Sequence, residues 1–145
     1  MYKMEIEFLK TAEKHLDKTL IQNQRKVYTK DQIQDIQKQY PSIPDEYLIY
    51  LSQIGEGSFL EEFCTVFGDL IEVEDFFDEA LHDYLDFEEE VLQFGCDFSG
   101  NAFVFLTEEE WEVGVLYHDD LGVIEKTGEK FREFISKKIM GELHI

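Results

Sequence analysis

The almost wholly apolar run from Ala102 to Leu106 constrains the fold more than any other part of the sequence. Turn-forming or polar residues lie on both sides of it, and its side chains do not alternate between apolar and polar types. This pattern is typical of a β-strand that is buried on both faces. We therefore predict a central strand here, in a sheet with further strands beside it.

Short β-rich runs lie close together around this strand, and most segments with helical spacing lie before and after them. The β-rich runs are 59–73, 91–96, 112–117 and 123–124, and the helical patterns are 6–20, 29–40, 44–54, 75–85 and 128–139. Short connections between strands imply a largely antiparallel sheet. For a chain of 145 residues we predict one α+β domain over 1–145, with the sheet packed by N-terminal helices and a C-terminal helix.

Three positions mark where the predicted helices begin and end. Thr29 is a good N-cap for the second helix, and Gln32 three residues later completes a capping box. Pro44 opens the third helix at its first position, where the missing N–H costs nothing. Gly55 is expected to end that helix as the C′ glycine.

The net charge of −20 comes from one long stretch without basic residues. None of the 87 residues between Lys38 and Lys126 is Lys or Arg, and 22 residues of 51–125 are Asp or Glu. This charge repels phosphate backbones and anionic headgroups, so we expect neither nucleic-acid nor membrane binding. Two interpretations remain, a solvated surface that keeps the protein in solution and a binding surface for a basic protein partner.

The candidate partner-binding residues form two acidic groups and one aromatic anchor. They are Asp83, Asp86, Glu88, Glu89, Glu90, Glu108, Glu109, Glu110 and Trp111. Trp is enriched among the residues that dominate binding energy, and this single Trp lies within an acidic rim. The alternative is that Trp111 is a core aromatic at the start of a strand and that the acids are solvated.

No pattern in the chain predicts catalysis, a metal or a cofactor. The nucleophile elbow, the phosphate-binding loop, the zinc-protease motif and the EF-hand spacing are all missing. Cys64 and Cys96 lie 32 residues apart with no CxxC motif; in a reducing compartment we expect two free, buried thiols, with a disulfide as the alternative, and no two ligands have the close spacing of a zinc site. His118 is the only His beside carboxylates; it fits a surface turn before Gly122 better than a metal or catalytic site. We therefore predict a protein that is not an enzyme.

The sequence supports a prediction of where the protein lies in the cell, but it does not support one of its oligomeric state. The first ten residues lack a charged segment followed by an apolar one, and the apolar runs are shorter than a membrane span of ~20 residues. We therefore expect a cytoplasmic protein. The sequence leaves monomer or dimer open, since Phe76, Phe77 and Phe87 fit either a core or a self-association surface.

Four segments, taken in order, resemble the SUKH superfamily of small α+β domains. They are IPDEYLIYLSQIGEGSF (43–59), FGCDFSGNAFVFL (94–106), EVGVLYHDD (112–120) and FREFISKKI (131–139). The matching positions are Pro44, Tyr47, Leu51, Gly55, Gly57, Gly95, Asp97, Gly100, Asn101, Gly114, Val115, Tyr117, His118, Phe131 and Phe134. The resemblance covers about 43–139, although residues 70–92 have no counterpart.

The resemblance implies two kinds of function, both without an active site. Many bacterial SUKH members are immunity proteins that bind and neutralise a polymorphic toxin, often a nuclease. Other members are scaffolds or regulatory protein-binding modules, which is the alternative for this chain. Because a nuclease must hold a polyanion, its cleft is basic, and an acidic domain suits its inhibition. We therefore expect an immunity protein that binds a basic toxin domain.

Overall fold

A computed structural model describes residues 1–141 and shows helices packed on a single sheet. The α-helices are α1 (Lys3–Ala12), α2 (Lys30–Gln39), α3 (Asp45–Gln53), α4 (Val73–Phe76) and α5 (Phe131–Met140). The strands are β1 (Arg25–Lys26), β2 (Glu56–Phe59), β3 (Cys64–Ile71), β4 (Val91–Asp97), β5 (Ala102–Leu106), β6 (Glu112–Leu116) and β7 (Ile124–Lys126). Short 3₁₀ helices cover Ile21–Asn23, Glu79–Tyr84 and Thr107–Glu109.

The sheet has seven strands in the order β1-β2-β3-β4-β5-β6-β7, and every neighbouring pair is antiparallel. The predicted α+β class with an antiparallel sheet is therefore confirmed. All five residues of β5 are buried, and β5 pairs with β4 on one side and β6 on the other. The apolar run of the sequence is thus the interior strand that its composition indicates.

One face of the sheet packs against α1, α2, α3 and α5 through a core rich in aromatic rings. Phe94 of β4 lies 4.5 Å from Phe105 and 5.3 Å from Phe131, measured between ring centroids. Tyr47 contacts the same rings, and its hydroxyl donates a hydrogen bond to the carbonyl of Phe67. Tilted and edge-to-face ring pairs of this kind add about 0.5–1.5 kcal/mol per pair beyond the burial of apolar area.

The other face of the sheet carries a smaller cluster, which the segment between β3 and β4 covers. Its buried members are Val73, Phe77, Val91, Ala102, Val104, Leu106, Leu116 and Leu121, and its half-buried members include Phe76, Leu81, Leu85 and Phe87. Phe76, Phe77 and Phe87 therefore pack within the monomer. We call this covering segment, residues 72–87, the outer layer.

The predicted helix ends are largely confirmed. Thr29 accepts a hydrogen bond from the Gln32 N–H, and the Gln32 side chain accepts one from the Thr29 N–H. Gly55 follows α3 with a φ of +100°, which glycine adopts without strain. Pro44 is the N-cap of α3, so that helix begins one residue later than predicted.

Two helical patterns are shorter in the structure than the spacing predicts. The first was expected to run to Leu20, but α1 ends at Ala12 because the Glu13 side chain turns inward to Arg25 of β1. The pattern over 75–85 becomes α4 and a 3₁₀ helix. Phe77 has extended backbone angles between them, and Tyr84 is exposed rather than inward-facing.

Candidate functional site

The structure brings Glu88, Glu89 and Glu90 together with Glu108 and Glu109 at one end of the sheet, whereas the predicted site residue Glu110 lies outside the cleft that they line. Val91, the first residue of β4, pairs with Leu106, the last residue of β5. The residues just before β4 therefore lie beside those just after β5. The result is a cleft of about 470 Å³, which we call the acidic cleft. Its lining residues are Glu88, Glu89, Glu90, Leu106, Glu108 and Glu109.

Hydrogen bonds tie the two walls of the acidic cleft to each other. The Glu90 N–H donates to Oε2 of Glu108 at 2.7 Å, and the Thr107 hydroxyl donates to Oε1 of Glu90 at 3.0 Å. Within residues 1–141, the carboxylates of Glu88 and Glu89 form no hydrogen bond or ion pair. Those two groups can therefore accept donors from a partner.

Two lysines lie at the margin of the cleft and compensate part of its charge. Lys126 pairs with Glu109 at 2.5 Å, and Lys130 lies 3.7 Å from the Glu110 carboxylate and donates to its backbone carbonyl. The hydrogen bond to Glu109 raises the pKa of Lys126, and the charges of neighbouring glutamates add to this effect. Lys126 therefore stays protonated over the whole physiological pH range.

Trp111 lies in a recess next to the cleft and is half-buried. Its ring centroid is 5.5 Å from that of Phe105 in the core and 6.3 Å from that of Tyr40 at the end of α2. The recess, of about 530 Å³, is also lined by Glu88, Glu90 and Glu108. Trp111 thus packs at the edge of the core and also borders the acidic surface, and its role as a binding anchor stays a prediction.

The loop that places Trp111 has an unusual backbone. Glu110 and Trp111 have φ values of 56° and 59°, in the left-handed region that residues other than glycine seldom occupy. The Trp111 N–H donates to the carbonyl of Leu106 at 3.0 Å and closes the turn. Such conformations cost about 1–3 kcal/mol and persist only where the surroundings hold them.

Asp83 and Asp86 lie apart from the glutamates of the cleft. Asp83 is on the 3₁₀ helix Glu79–Tyr84 of the outer layer, Asp86 follows it, and both are exposed. Neither of them lines the acidic cleft or the recess beside Trp111. They add negative charge to the outer layer rather than to the cleft itself.

Two exposed aromatic residues were missed by the sequence analysis. Tyr84 is 65% exposed between Asp83 and Asp86, although its spacing placed it inward. Phe98 is 74% exposed in the turn between β4 and β5. The sequence carries no clear signal for the exposure of Phe98, because a Phe in a turn is compatible with burial as well as with exposure.

The remaining candidates for chemistry do not form a reactive site. Cys64 and Cys96 are free, and burial raises the pKa of both thiols, which keeps them protonated. Exposed His118 is hydrogen-bonded to Asn101 through its N–H and Nδ1. No three His, Cys, Asp or Glu side chains of residues 1–141 gather in a way that could hold a metal ion. Over the same residues, no helix has the length and apolar character to cross a membrane.

Comparison of the chain with protein-family models, with curated proteins and with solved structures found no match. Functional inference therefore depends on the geometry and charge described above, together with the resemblance of short motifs.

Proposed function

We propose that the protein is a non-catalytic binding protein that captures a basic protein partner through the acidic cleft. The observation that carries this proposal is the juxtaposition of Glu88, Glu89 and Glu90 with Glu108 and Glu109 beside a half-buried Trp. The carboxylates of Glu88 and Glu89, which form no hydrogen bond or ion pair within residues 1–141, are free to attract cationic side chains, and the neighbouring Trp supplies contact area.

The partner class follows from the resemblance to SUKH immunity proteins together with the charge. We propose that the partner is a basic toxin domain, with a nuclease as the preferred type, and that binding occurs in the cytoplasm. Electrostatic complementarity raises association rates to about 10⁸–10⁹ M⁻¹s⁻¹ at low salt, against 10⁵–10⁶ M⁻¹s⁻¹ for a neutral pair. Fast capture protects a cell in which unbound toxin kills.

The first experiment is co-expression with the polymorphic toxin domain encoded nearest to this gene, with growth as the readout. Rescue of growth together with co-purification of the two chains supports the proposal. Continued killing, despite expression of folded protein, would contradict it for that toxin. Metal analysis of the purified protein is a useful companion, because stoichiometric zinc would contradict a purely binding role.

A second experiment tests the acidic cleft itself. The variant with Glu88, Glu89 and Glu90 all changed to Lys should associate at least tenfold more slowly at low salt, with a flatter salt dependence. The matched control changes Glu7, Asp31 and Asp35 to Lys, since these exposed acids on α1 and α2 give the same change in net charge. Equal association rates for the two triple variants would remove the cleft from the proposal.

A further inference from the structure

The end of the sheet opposite the acidic cleft carries a second exposed surface. Phe59 pairs with Cys64, Cys64 pairs with Asp97, and Ala102 pairs with Leu116. The loops 60–63, 98–101 and 117–120 therefore lie together at this end, and we call them the hairpin tip. Ala102, at the tip end of β5, and Leu106, at the cleft end, are four residues apart along the strand, a distance of roughly 13 Å.

Two phenylalanine rings lie side by side on the hairpin tip. Phe98 is 74% exposed and Phe63 is 39% exposed, and their ring centroids are 6.3 Å apart with an angle of 32° between the planes. Tyr117, 37% exposed, belongs to the third loop of the same end. A solvated pair of aromatic rings is a source of binding energy, because burying each ring against a partner removes apolar area from water.

Hydrogen bonds between the loops hold the rings in place without a partner. The Phe98 N–H donates to the carbonyl of Phe63 at 3.3 Å. Oδ1 of Asp97 accepts from the N–H groups of Ser99 and Asn101, each at 3.0 Å. Oδ1 of Asn101 in turn accepts the N–H of His118 at 3.0 Å. A surface that is already ordered loses less entropy when it binds.

The loops that carry the two rings are acidic, whereas the neighbouring surface of α5 is basic. Glu61, Glu62, Asp119 and Asp120 are exposed, and loops 60–63, 98–101 and 117–120 contain no Lys or Arg. Lys137 and Lys138 of α5 line the pocket on the other side of Phe63. On the side of the loops, the aromatic centre is complementary to an apolar pocket that basic side chains flank.

The outer layer runs from the acidic cleft toward the loop after β6. A Cβ on Gly122, two residues beyond loop 117–120, would lie 3.7 Å from the carbonyl oxygen of Tyr84. This layer covers the face of the sheet opposite to α5, whereas Phe63 and Tyr117 line a pocket on the α5 side. Because the two ends of β5 are only roughly 13 Å apart, a standard interface of about 800 Å² per partner is large enough to reach both the cleft and the tip.

We propose that the hairpin tip is a second contact region for the same basic protein partner, with Phe98 as the apolar anchor that slows dissociation. This inference rests on the proposed function, because it assigns part of that partner's interface. The acidic cleft governs the rate of association, whereas Phe98 governs the lifetime of the complex.

The test measures binding of the same toxin domain, in a catalytically inactive form, to wild type, Phe98→Ala and Met4→Ala. Met4 is 66% exposed on α1 and is the matched truncation away from the tip. Phe98→Ala should dissociate about tenfold faster or more with little change in association rate, and Met4→Ala should behave as wild type. Circular dichroism confirms that both variants are folded, and Phe63→Ala provides a second test of the pair.

The other outcomes separate the two proposals. If wild type binds the toxin domain and the complexes of Phe98→Ala and Phe63→Ala last as long as that of wild type, the tip proposal is overturned and the acidic-cleft proposal stands. Absence of wild-type binding would overturn both. A wild-type dimer that Phe98→Ala converts to a monomer would overturn the tip proposal in favour of self-association.

Discussion

Replacement of Glu13 by Gln should destabilise the protein more than any exposed acidic substitution. The Glu13 carboxylate is 4% exposed and receives both Nη atoms of Arg25, at 3.0 and 2.8 Å. It also accepts the N–H of Leu60 at 2.8 Å, and Lys18 lies 3.5 Å away. One side chain therefore joins the end of α1 to β1 and to the turn between β2 and β3.

The magnitude follows from the partners that the substitution leaves behind. Breaking a buried ion pair by removing one partner costs about 3–5 kcal/mol when no solvent reaches the remaining charge. Arg25 is 17% exposed and Gln still accepts one hydrogen bond, so we expect about 2 kcal/mol for Glu13→Gln. Glu13→Ala removes every acceptor at this position and should cost about 3–4 kcal/mol.

Urea unfolding at pH 7 measures these losses, with Glu7→Gln on the exposed face of α1 as the control.

Burial alone would raise the pKa of Glu13, but the hydrogen bonds from Arg25 and Leu60 and the charges of Arg25 and Lys18 lower it. A lowered folded-state pKa gives stability that is present above the ordinary value of 4.5 and is lost as the pH falls through the folded-state pKa. The difference between wild type and Glu13→Gln should therefore shrink at pH 3. If the free energies of unfolding of wild type and Glu13→Gln differ by the same amount at pH 7 and pH 3, the role assigned to the Glu13 charge is refuted.

Three further predictions concern stability and thiol reactivity. Gly95→Ala should cost about 2 kcal/mol in urea unfolding, because its methyl group would overlap a backbone carbonyl of β3, whereas Gly122→Ala has space and should be near neutral. Thr29→Ala should cost about 1 kcal/mol, since α2 loses its capping box; an unchanged midpoint would contradict this. Cys64 and Cys96 should resist iodoacetamide at pH 7.5 in the folded protein and react in urea, because burial raises both thiol pKa values; rapid labelling of native Cys64 would refute this.

The fold was predictable where a local pattern and its tertiary surroundings agree. The apolar run 102–106 could only be an interior strand, and Phe131, Phe134, Ile135 and Ile139 lie inward as their helical spacing predicts. The spacing failed at α1, because a buried ion pair formed with a strand 12 residues away along the chain. Such a contact leaves no periodic signal in the sequence.

The acidic cleft was partly predictable, and its aromatic neighbours less so. The hairpin of 91–97 with 102–106 follows from the sequence, and its register brings Glu90 beside Thr107. What the residues could not show is the half-buried state of Trp111, which depends on two left-handed backbone positions. The exposure of Phe98 also depends on tertiary structure, because a Phe next to a turn is equally compatible with burial.

The strand order equals the chain order, and this has a consequence for how the protein can change. The short connections β2–β3, β4–β5, β5–β6 and β6–β7 each join two adjacent strands, so their length and composition can vary without rerouting the rest of the chain. The β1–β2 and β3–β4 connections are constrained, because they contain α2, α3 and the outer layer. Among the short connections, Gly100 in the β4–β5 turn is an exception, because its φ of +88° favours glycine and would strain any other residue, although no neighbour lies within 4 Å of an added Cβ. A scaffold of this kind can diversify its short turns one at a time while the buried aromatic layer continues to determine the architecture.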